Sequence, residues 1–317
     1  MALREYLTTE VGEDWVDGLI SRREAIRRLL LLGMSVPSAS ALLAACAAEI
    51  PASRAASSSA VSPSPAASLP ATAASLSAAA SATPGRSPAS PVAGEAIMFA
   101  GPRGQLQGYF ALGADANGAM LVIHENRGLT EHIRSVASRL AGDGFPSLAI
   151  DLLSEEGGTA ALGGEGNVPP VLAAAPTDRL VGDMRAGLDE LARRVPGAKL
   201  GITGFCFGGG MVWTLLDAGE PRLAAAIPFY GPAPSDADFS GDKAAVLGVY
   251  AELDARVNAS RETAAAALEA AGLTHEIKTY PGVDHAFFND TGGRYDATQA
   301  AAAYADVLAW LGRHLAA

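Results

Sequence analysis

The segment Gly204-Phe205-Cys206-Phe207-Gly208 follows the apolar run 199–203. It reads as a strand, a sharp turn and a helix, with a cysteine at the apex. A nucleophile held on a strained strand-to-helix turn forces the residues two before and two after it against neighbouring backbone. Only small side chains fit at those places, and Gly204 and Gly208 occupy them. The pentapeptide alone is a weak signal in a chain with 35 glycines. A strand pattern before it makes it specific, as do an aspartate and a histidine after it in the order nucleophile, acid, base.

The surrounding pattern fits that turn. Strands are predicted over 106–112, 119–124, 146–150, 200–203, 223–230, 246–250 and 275–280. Between them lie helical patterns. Thr130 is placed to cap a helix with Ile133, Val136, Ala137, Leu140 and Ala141 on one face, and Thr177 to cap another with Leu180, Met184, Leu188 and Leu191. Residues 257–271 read as a third helix ended by Gly272, and 300–315 as a terminal one. Alternating strands and helices imply an α/β fold, a mostly parallel central sheet with helices on both faces. Ligands of such sheets bind at the carboxyl ends of the strands. Glu125, Cys206, Asp254 and His285 all fall just after predicted strands and are expected to converge there.

The first third of the chain is not expected to fold with this domain. Residues 1–46 resemble a twin-arginine export signal: Arg22-Arg23, a second basic pair at Arg27-Arg28, an uncharged segment 29–45, then Leu43-Ala44-Ala45-Cys46, similar to a lipoprotein lipobox. In such signals the cysteine is lipidated and begins the mature chain, so Cys46 is the candidate lipidation site. The apolar stretch is interrupted by Pro37 and several serines. A permanent span needs about 20 strongly apolar residues, so an export signal fits better than an anchor or a cytoplasmic tail. The leader 1–20 has no place in this reading. Residues 47–94 are almost entirely Ala, Ser and Pro, expected as a disordered tether. Residues 95–317 form the predicted globular domain. The expected location is outside the cytoplasm, tied to a membrane by the N-terminal lipid.

The formal charge of −11 excludes a nucleic-acid partner, since phosphate binding needs a basic surface. The two cysteines, Cys46 and Cys206, lie in different contexts, so no disulfide is expected between them and Cys206 is a free thiol.

A thiol has an ordinary pKa of about 8.5 and needs a base to become a good nucleophile at neutral pH. His285, in the loop after the strand ending at Tyr280, is the natural base. His132 falls within a helix, His275 begins a strand and His314 ends the chain. Asp254 is placed to fix the imidazole tautomer, with Glu252 close enough to compete and a helix cap as its other reading. The loop His124-Glu125-Asn126-Arg127-Gly128 follows an early strand. Its Asn126 N–H and the Phe207 N–H are the candidate oxyanion donors. Glu125 is placed to meet the thiol, or to pair with Arg127 or Arg134. His124 reads as a packed core histidine.

Residues 95–317 resemble the dienelactone hydrolase (carboxymethylenebutenolidase-like) family of the α/β-hydrolase fold. The resemblance rests on residues 124–129, Gly204-Phe205-Cys206-Phe207-Gly208-Gly209-Gly210, Pro228-Phe229-Tyr230-Gly231, Glu252-Leu253-Asp254 and His285-Ala286-Phe287. It implies a Cys206, Asp254, His285 triad, a Glu125 that pairs with the resting thiol, a thioester intermediate, and no metal or organic cofactor. The substrate it implies is a small ester or lactone, with a broader carboxylesterase or thioesterase, or a non-catalytic binding lipoprotein, as the alternatives. Family members that cleave dienelactone carry an arginine four residues after the histidine, where this chain has Asn289. Arg127 and Arg294 are the candidates to take over contact with a substrate carboxylate. A monomer is expected.

Overall fold

The computed structural model describes residues 3–48 and 89–316. Among the described residues there are eight strands: β1 (Gly94–Gly101), β2 (Gly104–Ala111), β3 (Ala119–Ile123), β4 (Ser147–Asp151), β5 (Leu200–Phe205), β6 (Leu223–Phe229), β7 (Ala245–Ala251) and β8 (His275–Tyr280). They form one sheet in the order β1-β2-β4-β3-β5-β6-β7-β8. Pairing is parallel from β4 to β8, while β1–β2 and β2–β4 are antiparallel. Five-residue β3 and β4 are buried at every position, which is why β3 reads as an unbroken apolar run and β4 as a short one between Ser147 and Asp151, without alternation. Edge strand β1 was not expected from the sequence. Its inward residues are Ile97 and Phe99, with Met98 exposed between them, too short an alternation to stand out.

The main helices are α4 (Glu131–Gly142), α6 (Thr177–Arg194), α7 (Phe207–Asp217) and α10 (Ala297–His314). In α6 the N-cap is Pro176 rather than Thr177, and Thr130 stands at the N-cap of α4 without a side-chain cap bond. The helix expected over 257–271 is two, α8 (Ala255–Asn258) and α9 (Arg261–Ala270). The break is tied down at Ser260, whose hydroxyl donates to the Val257 carbonyl and accepts from the Ala233 N–H. Between β4 and α6 lie short 3₁₀ helices and α5 (Val168–Ala174).

The chain winds outward from β3 to β4, then crosses back to β5 and continues the other way. The carboxyl ends of β3 and β5 therefore flank the switch point, where such sheets leave a crevice. The loop carrying Glu125 and the turn carrying Cys206 lie on its two sides.

The N-terminal region departs from expectation. Residues 3–48 form α1 (Leu3–Val16), α2 (Arg22–Leu31) and α3 (Val36–Ala48). Leu7, Val11, Leu29, Leu32 and Leu43 are buried with them, joined to the core of the main domain. Arg22 and Arg23 open α2, whose N-cap Ser21 accepts from the Glu24 N–H, while Glu24 pairs with Arg27 and Arg28 at 2.9 Å each. Among the described residues no helix is long and apolar enough to cross a membrane. Of the expected tether, residues 49–88 lie outside the described residues.

Candidate active site

The turn after β5 is as tight as its sequence requires. Cys206 has φ 58° and ψ −118°, an unfavourable backbone for a side chain with a Cβ. A Cβ on Gly204 would lie 2.3 Å from the Gly208 carbonyl oxygen, and one on Gly208 would lie 2.5 Å from the Ile123 oxygen. The Cys206 N–H is held by the Phe229 carbonyl at 3.1 Å. Phe207 starts α7, so its N–H is among those without an acceptor inside the helix.

Asp254 follows β7 and His285 follows β8. Asp254 Oδ2 accepts from His285 Nδ1 at 2.6 Å, and Oδ1 accepts from the Val257 N–H at 3.1 Å. Asp254 thus both bonds the His285 ring and caps α8. Glu252 is turned away, its Oε2 accepting from the Gly282 N–H at 2.7 Å. With Nδ1 donating to Asp254, His285 presents Nε2 to the interior, where it has no hydrogen-bond partner. That nitrogen, Cys206 Sγ and a Glu10 carboxylate oxygen lie within 4.8 Å of one another. The Tyr230 ring packs against His285 edge-on, centroids 5.1 Å apart.

In the loop after β3, Asn289 Nδ2 donates to Glu125 Oε2 at 2.6 Å. Asn289 Oδ1 in turn accepts from Thr291, at 2.7 Å from its hydroxyl and 3.0 Å from its N–H. Glu125 therefore meets Asn289 rather than Arg127 or Arg134, which pair with Glu165 and Glu131 at 3.4 and 3.3 Å. His124 is a packed histidine. Its Nδ1 donates to the Glu125 carbonyl at 2.7 Å, its Nε2 accepts from the Leu152 N–H at 3.2 Å, and burial lowers its pKa. Asn126, Arg127, Cys206, Asn289 and Arg294 line one pocket of about 220 Å³.

The sequence matches the model of the Dienelactone hydrolase family over residues 106–315. The chain belongs to the dienelactone hydrolase family. A candidate carboxymethylenebutenolidase of Salmonella typhi is 31% identical over 225 residues, covering 65% of this chain and 82% of that protein. The crystal structure of a candidate dienelactone hydrolase from Klebsiella pneumoniae is 30% identical, with a TM-score of 0.60, over 70% of this chain and all of that one. A dienelactone hydrolase-like promiscuous phosphotriesterase from metagenomic libraries shares the fold at 20% identity, TM-score 0.62, over 71% of this chain and all of that one.

In this family member the N-terminal helices, outside the matched region, reach the same pocket. The Tyr6 hydroxyl is 3.1 Å from Cys206 Sγ. Glu10 Oε1 is 3.5 Å from His285 Nε2, while Glu10 Oε2 pairs with Arg256. Arg294 is held by Asp17 at 2.7 Å and Asp14 at 3.3 Å. Arg256 also lies over the Tyr6 ring, 4.4 Å from its centroid. Sequence reasoning missed Tyr6, Glu10 and Arg256. Helix α1 carries Glu10 and Asp14 on the same buried face as Leu7 and Val11, so no amphipathic period marked it, and the spacing Glu10, Asp14, Asp17 was the one available signal. Cys46 is on α3, away from the pocket, with its Sγ 2.8 Å from where a Cβ on Gly12 would stand.

These neighbours set the charges of the hydrolase site. Burial works against a charged His285, but Glu10, Asp254 and Cys206 outweigh it and hold its pKa well above the ordinary value. Burial, followed by the charge of Glu10, pushes the Cys206 thiol up; His285 pulls it down and Glu125 adds a smaller push upward. Burial, Cys206 and Glu10 keep Tyr6 a neutral phenol. Burial also opposes ionisation of Glu10, yet His285, Arg256 and Arg294 bring its pKa below the ordinary range. Thiol, imidazole and carboxylate are a donor set for a soft divalent metal. Arg256 and Arg294 already bring positive charge to that carboxylate, which works against a cation there.

Proposed function

We propose that this hydrolase cleaves a small ester or lactone with Cys206 as nucleophile, His285 as base and Asp254 as the acid that orients it. The observation that carries the reading is the 2.6 Å Asp254–His285 bond, which aims Nε2 toward a thiol held on a strained turn. Nε2 takes the thiol proton as Sγ attacks the substrate carbonyl carbon. The Phe207 and Asn126 N–H groups receive the developing oxyanion. The C–O bond to the leaving group breaks, His285 returns the proton to that oxygen, and a thioester forms on Cys206. Water, deprotonated by His285, then attacks the thioester, releasing the carboxylic acid and restoring the thiol.

The pocket favours uncharged substrates. Asn289 stands where dienelactone-cleaving members have an arginine, and it is committed to Glu125. Arg294 is neutralised by α1. A broad carboxylesterase or thioesterase is the second reading, favoured by the same loss of a free cation. We further propose export and a lipid at Cys46, on the strength of Arg22-Arg23 and Leu43-Ala44-Ala45-Cys46.

The test is hydrolysis by the full chain of dienelactone, neutral lactones, thioesters and short aryl esters, with Cys206→Ala as control. Turnover lost in the variant supports the nucleophile. Turnover kept in the variant removes it, and no turnover on any of them from folded protein, both with the N-terminal arm in place and with it cut away, moves the reading to a binding lipoprotein.

A further inference from the structure

We propose that α1 is a built-in occupant of the catalytic pocket, holding the hydrolase inactive until the N-terminal arm is withdrawn. The inference rests on the reading of Cys206 and His285 as nucleophile and base. A reacting carbonyl carbon must come to about 3–3.5 Å from the sulfur. The Tyr6 hydroxyl is already 3.1 Å from it, and both side chains are buried.

Glu10 completes the lock. Its carboxylate is beside the Nε2 atom that must take the thiol proton. A negative charge there stabilises the imidazolium by itself, so the thiol need not ionise to provide a counter-ion. The thiol stays protonated against Tyr6. Glu10 is held in place by Arg256, and Asp14 and Asp17 hold α1 to Arg294. Buried ion pairs of this kind contribute little net stability, because desolvation offsets their attraction. The ion pairs therefore fix where α1 sits, and the burial of Tyr6, Leu7 and Val11 holds it there.

The arm can leave without taking machinery with it. The residues assigned to the chemistry lie between Glu125 and His285, and the family match begins at residue 106. The release also has a route in the chain. Cys46 Sγ lies 2.8 Å from where a Cβ on Gly12 of α1 would stand, so the candidate cleavage point is packed directly against the seated helix. Hydrolysis of the Ala45–Cys46 peptide bond would separate Tyr6, Glu10, Asp14 and Asp17 from the hydrolase altogether. The precursor would thus be silent and the processed form active.

The experiment uses the full chain with a specific protease site placed within residues 49–88 and cut after folding. Two rates are read: iodoacetamide alkylation of Cys206, resolved from Cys46 by peptide mass, and turnover of 4-nitrophenyl acetate. Removing the cut arm is expected to raise alkylation at least tenfold, and a peptide of residues 3–17 to reverse it. In the uncut chain Tyr6→Phe and Glu10→Gln are expected to raise alkylation as well, which keeps the proposal testable if the cut protein is unstable. Alkylation unchanged or slower, both without the arm and in the two variants, would overturn it. Faster alkylation with no turnover would support the occupant and count against Cys206 as the ester nucleophile.

Discussion

Tyr6 and Cys206 are 200 positions apart in the chain, yet the phenol oxygen is 3.1 Å from the thiol sulfur. The partner of the candidate nucleophile thus comes from outside the region that defines the family. His285, the expected partner, is bound to Asp254 through Nδ1, and its other nitrogen lies in one cluster with the thiol and Glu10, all within 4.8 Å. Catalytic hydrogen bonds are often long before substrate binds, and in the proposed lock α1 stands where substrate would enter.

Asp254→Asn keeps an oxygen to cap Val257 but removes the charge that fixes the His285 tautomer. With the N-terminal arm cut away, the expected loss in kcat is about a thousandfold to ten-thousandfold, with Tm little changed. Steady-state kinetics and a thermal melt check both halves, and retained activity would transfer the orienting role elsewhere.

Glu125→Gln preserves the contact with Asn289 and removes one of the negative charges pushing the Cys206 pKa up. The midpoint of the alkylation rate against pH is expected to move to lower pH. A midpoint that stays put would mean the Glu125 charge is not felt at the sulfur.

Gly208→Ala forces a methyl group to 2.5 Å from the Ile123 oxygen, a backbone atom that cannot rotate away. Overpacking of that kind costs about 3 kcal/mol, or roughly 6–12 °C in Tm for a domain of this size. A melt of the variant within 2 °C of the parent would show that the turn has slack.

Asp183 on α6 is buried and neither of its oxygens accepts a hydrogen bond. Burial raises its pKa to about 6, against the opposing pull of Arg179. Between about pH 4 and pH 6 the folded chain keeps a proton that the unfolded chain has released, so the contribution of this group to stability falls as pH rises. Asp183→Asn removes that fall. Its Tm advantage over the parent is expected to grow from pH 4 to pH 7, and a constant difference would contradict the assignment.

Lipidation of Cys46 predicts a membrane-extracted chain beginning at that residue with an acylated N-terminus. Intact mass measures it directly, and a soluble chain beginning at Met1 would end the export reading.

The sequence by itself determined the elbow and the strands β2 to β8, though not their order in the sheet. Those rest on local physics: a turn that tolerates only glycine at 204 and 208, apolar runs of strand length, and helical spacing of residues such as Leu180, Met184 and Leu188. The candidates Cys206, Asp254 and His285 were legible for the same reason, since each follows a strand and strand ends converge. Tertiary structure decided which groups touch. Asp254 faces His285 and Glu252 does not, because the loop after β8 presents the Gly282 N–H to Glu252. Glu125 bonds to Asn289, 164 positions away. The leader that had no place in the linear reading is a helix whose acidic face closes over His285, Arg256 and Arg294. Periodicity and turn sterics act over a few residues and are written along the chain. Which distant charges meet in the pocket is set by how whole helices pack, and no short stretch of sequence contains both Glu10 and Arg256 or both Glu125 and Asn289.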